Sequence, residues 1–454
     1  MTTTLRFKLT LAALGVFTLA AAFAASRGAY GYRVLREDGN PSNTFILGTD
    51  GWLAVESELA EGDSAVRGSA AAIAMFAHVT DLLSAKGIKL VVALIPGKTR
   101  LYPQAFFPGD ALLEPQASEY NRTIQALRDN GVFAPDLATA MLASPKLDQG
   151  LYFRGDSHWN QTGASVASQA IAAYANAKGL LTGVKREKFN LVKDGPPRPM
   201  PIDIPGKDLR LNGVLLDTAA KKRLGILPPS GATYQLLRAE GSGGAGLFGP
   251  PPQVVLIGTS FSAEADKHGF AEVLQAALGA RVANVSIPGG GLTRAATGYF
   301  LDASFTKTPP KLIIWETPEY LFRTAETQAQ ELAADAGPWI MNDCPTTGIH
   351  ATDGAVSVDG AVAYVNLPRA SLGGPAYVHF SAAAPGANVL QVWLDVGNGA
   401  ATGPRLSVHG AGDETQKDYN ILLPPGVNLR GLEVHAPNAI RPLIVQSVAV
   451  CPAP

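Results

Sequence analysis

The sequence predicts an α/β fold in which a mostly parallel sheet is flanked by helices, followed by a smaller antiparallel β domain. Nearly continuous apolar runs such as 89–95 and 253–257 indicate strands buried on both faces, and helix-like stretches alternate with them. After about residue 335, short β-type runs separated by turn residues replace this pattern. The 454 residues are long enough to form both units.

The α/β domain is expected over residues 26–335 and the β domain over residues 336–454. The predicted helices cover 71–86, 161–177 and 264–278, and the predicted strands cover 89–95, 253–257 and 312–315. Segments 195–205 and 241–252 are rich in proline and glycine, and they predict loops. The later runs at 361–365, 376–380, 389–396 and 443–450 predict an antiparallel β-sandwich.

The first 25 residues have the features of an export signal. Arg6 and Lys8 precede an apolar run over 9–25, which ends in a small-residue cleavage pattern at Ala22-Phe23-Ala24. An uncleaved membrane anchor is the alternative, because the run is about as short as a membrane span can be. We therefore expect an exported protein and favour cleavage of this segment.

Two cysteines, Cys344 and Cys451, bracket the last quarter of the chain. In an exported protein an even pair predicts a disulfide, and two separate buried thiols are the alternative. The net charge is −1 and charged residues make up 17% of the chain. Bulk electrostatics therefore give no indication of nucleic-acid binding.

A serine lies at the end of an apolar strand, in the run Val254-Val255-Leu256-Ile257-Gly258-Thr259-Ser260. The carboxyl edge of a parallel sheet is where α/β sites form, and a helix that starts near Ser262 would bring backbone amides to Ser260. Ser260 is therefore a candidate nucleophile. In the alternative interpretation, Ser260 or Ser262 only caps the following helix.

An acid and an imidazole occur two positions apart, as Asp156 and His158. On an extended segment both side chains would point to the same side, so Asp156 could orient the imidazole and stabilise the imidazolium. Asn160 is expected to cap the next helix. His158 could also be an ordinary loop histidine, and two ligands are too few for a metal site, so no metal is expected.

Two further strand-end features are candidates for binding. The run Gly289-Gly290-Gly291 would allow backbone to approach a reacting group closely, or would form a plain flexible turn. Lys98 follows the strand that ends at Ile95, and it could contact an anionic ligand or only cover the surface.

Taken in order, these motifs resemble the alginate O-acetyltransferase family of SGNH-hydrolase-like proteins. The resemblance covers about residues 48–322. It includes Gly51-Trp52-Leu53, Ile95-Pro96-Gly97-Lys98, Asp156-Ser157-His158-Trp159, Gly258-Thr259-Ser260-Phe261-Ser262, Gly289-Gly290-Gly291 and Ile314-Trp315-Glu316-Thr317-Pro318-Glu319. The β-rich tail resembles the carbohydrate-binding domain of AlgX-type members, although the catalytic half lacks the cysteines often expected there.

The resemblance implies Ser260 as nucleophile, His158 as base, Asp156 as its orienter, and backbone amides near Ser260 and Gly290 as the oxyanion hole. It also implies a periplasmic location and transfer of acetyl, via an acetyl-serine, to hydroxyls of an exopolysaccharide such as alginate. A membrane-bound acyltransferase would donate the acetyl group, a polysaccharide export complex would be a partner, and no cofactor is needed. For such a polymer, Lys98 could contact an anionic group, Trp393 in the β domain could offer an apolar face to a sugar ring, and Arg405, Lys417 and Arg430 could meet uronate carboxylates. In the alternative interpretation, each of these side chains is structural or only solvated.

Two alternatives to a transferase stay open from the sequence. The same three residues would serve an esterase that removes acetyl groups. A non-catalytic polysaccharide-binding scaffold of an export complex would need none of them.

Overall fold

A computed structural model of the chain describes residues 33–107, 116–199, 204–238, 251–263 and 268–341, and most strands between 349 and 452. Its centre is a parallel sheet with strand order β10-β9-β11-β4. These strands are β4 (Lys89–Ile95), β9 (Val254–Ile257), β10 (Val282–Asn284) and β11 (Leu312–Pro318). The predicted α/β fold class is confirmed.

Alternate residues of β4 face two different hydrophobic cores. Val92 and Leu94 pack into one core and Val91, Ala93 and Ile95 into the other, and all five are at most 1% exposed. Because neither face of the strand contacts water, the whole run is apolar rather than alternating.

Helices cover both faces of the sheet. The first part of the chain contributes α1 (Gly62–Ala85), α2 (Lys98–Leu101), α3 (Pro103–Phe106), α4 (Gln116–Asp129), α5 (Leu137–Leu142), α6 (Gln161–Ala177) and α7 (Thr218–Arg223). The second part contributes α8 (Ser260–Ala263), α9 (Phe270–Leu278), α10 (Arg294–Leu301), α11 (Ala303–Lys307), α12 (Glu319–Thr324) and α13 (Glu326–Met341). Helix α6 has the predicted bounds, whereas α1 begins nine residues before the predicted start.

A second, antiparallel sheet was not predicted. It has the strand order β3-β2-β1-β6-β7 and encloses a small core around Leu35 and Phe45. Its strands are β1 (Arg33–Glu37), β2 (Asn40–Leu47), β3 (Leu53–Val55), β6 (Leu209–Leu211) and β7 (Val214–Leu215). The strands come from two distant parts of the chain, 33–55 and 209–215, and three of them are very short, so periodicity alone could not connect them.

The proline-rich segment 195–205 is only partly a loop. Its first residues belong to β5 (Phe189–Pro199), which pairs with β8 (Ser230–Arg238) as a two-stranded ribbon. The register shifts between Asp194 and Arg198, and this irregularity accommodates prolines that cannot donate ladder hydrogen bonds. The loop predicted over 241–252 lies mostly outside the described residues.

The C-terminal part consists of two antiparallel sheets, as predicted. Their orders are β12-β21-β15-β19-β18 and β13-β14-β20-β16-β17, and side chains from both form one core. The strands are β12 (Ile349–His350), β13 (Val356–Ser357), β14 (Val362–Ala370), β15 (Ala376–Ala383), β16 (Leu390–Asp395), β17 (Leu406–Val408), β18 (Ala411–Gly412), β19 (Lys417–Leu423), β20 (Leu429–His435) and β21 (Ile444–Pro452).

Two predictions concern the junction with this β domain. The boundary placed between residues 335 and 336 falls inside α13, whose Trp339 and Ile340 pack into the same core as α1. Cys451 is buried in β21 and its sulfur is in a disulfide. Cys344 lies outside the described residues.

Helix α1 packs closely against the backbone of α12, and Gly68 makes this contact possible. A Cβ at Gly68 would lie 2.3 Å from the Arg323 carbonyl oxygen and 2.9 Å from that of Phe322. We expect Gly68→Ala to lower the free energy of unfolding by about 1–3 kcal/mol, because backbone must shift to make room. Chemical unfolding of the purified protein measures this change.

Gly298 is the matched control, since it is also helical but a Cβ there would have nothing within 4 Å. Gly298→Ala should raise the free energy of unfolding by about 0.5–1 kcal/mol through helix propensity alone. Equal effects of the two substitutions would contradict the close packing of α1 on α12.

Candidate active site

Asp156 and His158 lie at the tip of a short hairpin that covers residues 151–160. Tyr152 pairs with Trp159 as an antiparallel bridge, and the Phe153 amide donates to the His158 carbonyl at 3.1 Å. The chain between them is a turn rather than the predicted extended segment. Within this turn the His158 amide donates to Asp156 Oδ1 at 2.9 Å. The turn therefore brings acid and imidazole to the same side by a local hydrogen bond, not by strand alternation.

The hairpin continues into α6, and Asn160 caps this helix as predicted. Its Oδ1 accepts from the amides of Thr162 at 2.9 Å and Gly163 at 3.1 Å. Trp159, fully buried, donates from its indole nitrogen to the Phe261 carbonyl at 3.1 Å. The backbone that follows His158 is thus anchored both to the start of a helix and to the segment that carries Ser260.

One hydrogen-bonded chain joins the three predicted polar residues. His158 Nδ1 is 2.5 Å from Asp156 Oδ1, and His158 Nε2 is 2.7 Å from Ser260 Oγ. Asp156 and His158 are almost fully buried, whereas Ser260 is partly exposed. With Nδ1 donating to the carboxylate, Nε2 is free to accept the serine proton, which is the geometry that a general base requires.

Ser260 begins α8, shortly after the end of β9. A buried carboxyl group hydrogen-bonds to the turn that joins β9 to α8. Glu316 of β11 accepts from the Thr259 amide at 2.9 Å, the Thr259 hydroxyl at 3.1 Å and the Ser262 hydroxyl at 2.7 Å. A Cβ at Gly258 would lie only 2.4 Å from a Glu316 oxygen. Glycine at 258 therefore lets the carboxyl group reach Thr259 and Ser262, which lie on either side of Ser260 in the chain.

Burial raises the pKa of Glu316 to about 7, although the hydrogen bonds from Thr259 and Ser262 oppose this shift. His158 is close enough to favour the ionised carboxylate as well. A second carboxyl group besides Asp156 therefore contributes to the electrostatic field at the imidazole.

A second imidazole lies beside the first. His268, fully buried, contacts the Ser260 carbonyl through Nε2 at 2.9 Å, and its ring stacks on that of His158 with 5.9 Å between centroids. Phe261 covers another side of His158, with 4.6 Å between ring centroids. These rings exclude water from the imidazole on the sides that do not face Ser260.

The glycine run predicted to approach the site forms a turn next to the serine. The Ile287 amide donates to the Gly258 carbonyl at 3.0 Å, which joins the two turns. The Gly290 amide itself donates to the Ile287 carbonyl at 3.2 Å. To act as the predicted oxyanion donor, the Gly290 amide would therefore have to give up its hydrogen bond to the Ile287 carbonyl. The Ser260 amide remains the candidate donor at the start of α8.

The prediction that Lys98 contacts an anionic ligand is wrong. Its side chain is fully buried, and its ammonium group donates to four backbone carbonyls: those of Leu53 at 2.6 Å, Phe153 at 2.5 Å, Arg154 at 2.7 Å and Asp156 at 2.9 Å. Three of these carbonyls belong to the hairpin that carries Asp156 and His158. Lys98 therefore holds the hairpin in place instead of meeting a ligand.

The polymer contacts predicted in the β domain stay predictions. Trp393 is half-buried on β16 with its ring 4.3 Å from that of His435, and Arg430 is exposed on β20. Arg405 lies outside the described residues, and Lys417 begins β19. Within the described ranges, no group of three or more potential metal ligands occurs.

Sequence reasoning quoted Glu316 within a motif but assigned it no role, and it missed His268. Glu316 gave one usable signal, because a carboxylate is unusual in the otherwise apolar strand Leu312–Pro318. His268 gave none, since a single histidine after a polar stretch has no pattern that points to Ser260.

The raised pKa of Glu316 predicts a pH-dependent stability. The native state favours the protonated carboxyl group, so it binds more protons than the unfolded chain between about pH 4.5 and pH 7. The contribution of Glu316 to stability therefore falls as the pH rises through this window. When the pH rises from 5 to 8, we expect the unfolding free energy of the parent to fall by about 2–3 kcal/mol more than that of Glu316→Gln.

Denaturant titrations at the two pH values measure this difference. Glu331→Gln removes an exposed carboxylate from α13 and serves as the control. If Glu316→Gln and the parent show the same pH dependence, the buried carboxyl group does not titrate in this range.

Comparison with known proteins identifies the family of this fold and site. A family model described as SGNH hydrolase-like domain, acetyltransferase AlgX, matches residues 45–319. A protein named probable alginate O-acetylase AlgJ, from Pseudomonas syringae pv. tomato, is 31% identical over 291 residues, which cover 63% of this chain and 70% of that protein. The alginate biosynthesis protein AlgX of Azotobacter vinelandii is 27% identical over 248 residues, which cover 52% and 47% of the two chains.

The solved structure of Pseudomonas aeruginosa AlgX has a similar fold, with a TM-score of 0.66 at 21% identity. The similarity covers 91% of this chain and 95% of that one, so it extends into the C-terminal sheets. Since the family model matches more than half of the chain, this protein belongs to the AlgX family of SGNH hydrolase-like acetyltransferases.

Proposed function

We propose that this protein is a polysaccharide O-acetyltransferase that uses Ser260, His158 and Asp156 as a catalytic triad. The observation that carries the proposal is the pair of short contacts of one imidazole, 2.5 Å to Asp156 and 2.7 Å to Ser260. Membership of an acetyltransferase family supports the reaction class. Relatives named alginate O-acetylase support alginate, a uronate polymer, as the acceptor.

The first half-reaction transfers acetyl to the enzyme. His158 Nε2 takes the proton of the Ser260 hydroxyl while Oγ attacks the acetyl carbonyl carbon. The tetrahedral intermediate then expels the donor's leaving group, and His158 gives this group the proton that came from Ser260. Asp156 holds the imidazole in the tautomer with hydrogen on Nδ1 and stabilises the imidazolium between these two proton transfers.

The second half-reaction releases acetyl to the polymer. A sugar hydroxyl gives its proton to His158 Nε2 and attacks the acetyl-serine carbonyl carbon, after which Ser260 leaves and regains a proton from the imidazolium. Both half-reactions pass through an oxyanion near the Ser260 amide. Because water competes with the sugar, the acceptor must be held at the site in high effective concentration.

The proposed setting is the periplasm. The N-terminal segment 1–25 has export-signal features, and Cys451 is in a disulfide, as is usual in an oxidising compartment. We propose Cys344, the other cysteine of the chain, as its partner. A membrane-bound acyltransferase is proposed as acetyl donor and a polysaccharide export complex as the assembly. The C-terminal sheets would add a carbohydrate-binding surface around Trp393 and Arg405.

Ser260→Ala should abolish both acetyl-enzyme formation and transfer. Incubating the purified protein with a chromogenic acetyl ester and mannuronate oligomers should give acetylated oligomers, detected by mass spectrometry, only when Ser260 is present. A parent protein that releases acetate without acetylating any oligomer would instead support an esterase. Ester turnover that persists in Ser260→Ala would contradict the assignment of the nucleophile.

Asp156→Asn tests the orienting role separately. The amide keeps the size of the side chain but favours the wrong imidazole tautomer, so we expect turnover to fall by about 10³–10⁴. Steady-state turnover of the chromogenic ester measures this effect. Near-normal turnover would show that the short contact between Asp156 and His158 is structural only.

The compartment is tested by cell fractionation. When the full-length gene is expressed in a Gram-negative host, we expect the protein in the periplasmic fraction, with peptides of Cys344 and Cys451 joined under non-reducing conditions. Recovery of both cysteines as free thiols, or retention of the chain in the cytoplasm, would contradict this part of the proposal.

A further inference from the structure

His268 is a fully buried histidine that the proposed proton transfers do not use. It lies just before α9, and Gly269, which separates it from this helix, has a φ of 59°. Its Nε2 is 2.9 Å from the Ser260 carbonyl oxygen. A carbonyl oxygen can only accept, so the hydrogen of this bond is on Nε2 and the imidazole is the donor. The chain before α9 thus returns a side-chain donor to the backbone of the proposed nucleophile.

The helix that Ser260 begins is short and depends on contacts from outside it. Helix α8 has only four residues. So short a helix is not stable through its own hydrogen bonds, and its geometry is therefore set by the groups around it. A carbonyl oxygen has two lone pairs, so the Ser260 carbonyl can accept from His268 in addition to a helical amide. The imidazole is therefore an external contact that fixes the first residue of α8.

The peptide group between Ser260 and Phe261 is held at both ends. Its carbonyl accepts from His268, and its amide, that of Phe261, donates to the Thr259 hydroxyl at 3.2 Å. The Thr259 hydroxyl in turn donates to the buried Glu316 at 3.1 Å. Because a peptide group is planar, hydrogen bonds at its two opposite ends fix its orientation. The backbone on the carboxyl side of Ser260 therefore has little freedom.

The peptide group that precedes Ser260 is held within the turn itself. Its carbonyl, that of Thr259, accepts from the amides of Ser262 at 3.1 Å and Ala263 at 3.0 Å. These bonds form within residues 259–263, whereas the bond from His268 joins the turn to the start of another helix. With both peptide groups fixed, the direction of the Ser260 Cβ is fixed as well, and this direction limits the positions open to Oγ.

The same imidazole also contacts the proposed base. The His268 ring stacks on the His158 ring, with 5.9 Å between centroids and 27° between the ring planes. His158 Nε2 is 2.7 Å from Ser260 Oγ. One buried side chain therefore contacts both the backbone of the nucleophile and the ring of the base. These are the two groups whose separation decides whether the serine proton can be transferred.

We infer that His268 is a positioning residue, and that its Nε2 holds the Ser260 carbonyl so that the serine hydroxyl stays in hydrogen-bond contact with His158. It exchanges no proton in either half-reaction. The inference rests on the proposed function, because the position of Ser260 affects turnover only if Ser260 is the nucleophile. A displacement of about 1 Å between reacting groups can cost on the order of 10²-fold in rate. Loss of the bond from His268 should therefore slow acetylation of Ser260 with little effect on ester binding.

Two amide substitutions form a matched pair that tests this role. In His268→Gln the amide nitrogen is as many bonds from Cα as Nε2 is, so it can donate to the Ser260 carbonyl. In His268→Asn the amide nitrogen is one bond closer to Cα, as Nδ1 is, and it falls short of that oxygen. Rapid-quench mass spectrometry of Ser260 acetylation by a chromogenic acetyl ester gives the rate constant and the ester concentration at half-saturation. We expect acetylation to slow about 10²-fold in His268→Asn and less than about tenfold in His268→Gln, with half-saturation within about twofold of the parent in both.

Tyr120→Phe controls for the loss of a buried hydrogen bond as such. The Tyr120 hydroxyl is buried and donates to the Leu94 carbonyl at 2.9 Å, from a helix that carries none of the three triad residues. This substitution should lower the free energy of unfolding, whereas the acetylation rate should stay within about twofold of the parent. Chemical unfolding shows whether each variant is folded. If His268→Asn does not fold, His268→Leu is the second variant without the donor, because it leaves no polar group buried in its place.

The inference is overturned if a folded variant without the donor acetylates Ser260 at the parental rate. It is also overturned if His268→Gln is as slow as His268→Asn, because the ring and not the donor would then matter. Failure of the proposed function has a different signature. Ester turnover that persists in Ser260→Ala would reject the nucleophile and the role of His268 together. A parent that releases acetate but acetylates no oligomer would reject the transferase, while the rates of Ser260 acetylation would still decide the role of His268.

Discussion

The buried ammonium group of Lys98 is the interaction on which the geometry of the site depends. It joins the carbonyl of Leu53 on β3 to three carbonyls of the hairpin, including that of Asp156. Removing a charge from water is costly, and burial lowers the pKa of Lys98 to about 7, although Asp156 and Glu58 oppose this shift. Such a group is retained only where its hydrogen bonds are satisfied, and here four carbonyls satisfy it.

A buried ionic network extends from Lys98 beneath the sheet edge. The next residue, Thr99, donates its amide and hydroxyl to Glu58, and burial raises the pKa of that carboxyl group to about 7. Glu319 accepts from the Gly97 amide at 3.0 Å, and from Arg100 and Arg323 at 2.5 Å each. Burial opposes ionisation of Glu319, but the two arginines more than compensate and lower its pKa. Glu319 thereby joins the segments that follow the carboxyl ends of β4 and β11.

The result is a division of roles between the two sides of His158. On one side, Glu316 fixes the turn of Ser260, and on the other, Lys98 fixes the turn of Asp156. Each turn is held by a buried ionisable group that bonds several backbone or hydroxyl groups, which removes freedom from the acid, base and serine without taking their reactive atoms.

The sequence by itself determined the fold class and the identity of the three hydrogen-bonded residues. Apolar runs such as 89–95 report burial on both faces of a parallel strand, and the carboxyl ends of such strands must share one edge, so the strand-end motifs could be expected to meet. Only the tertiary structure decided what the other charged residues do. Lys98 and Glu316 are surrounded by groups from segments far away in the chain. No local pattern encodes these contacts, because burial of an ionisable group depends on which distant segments pack around it.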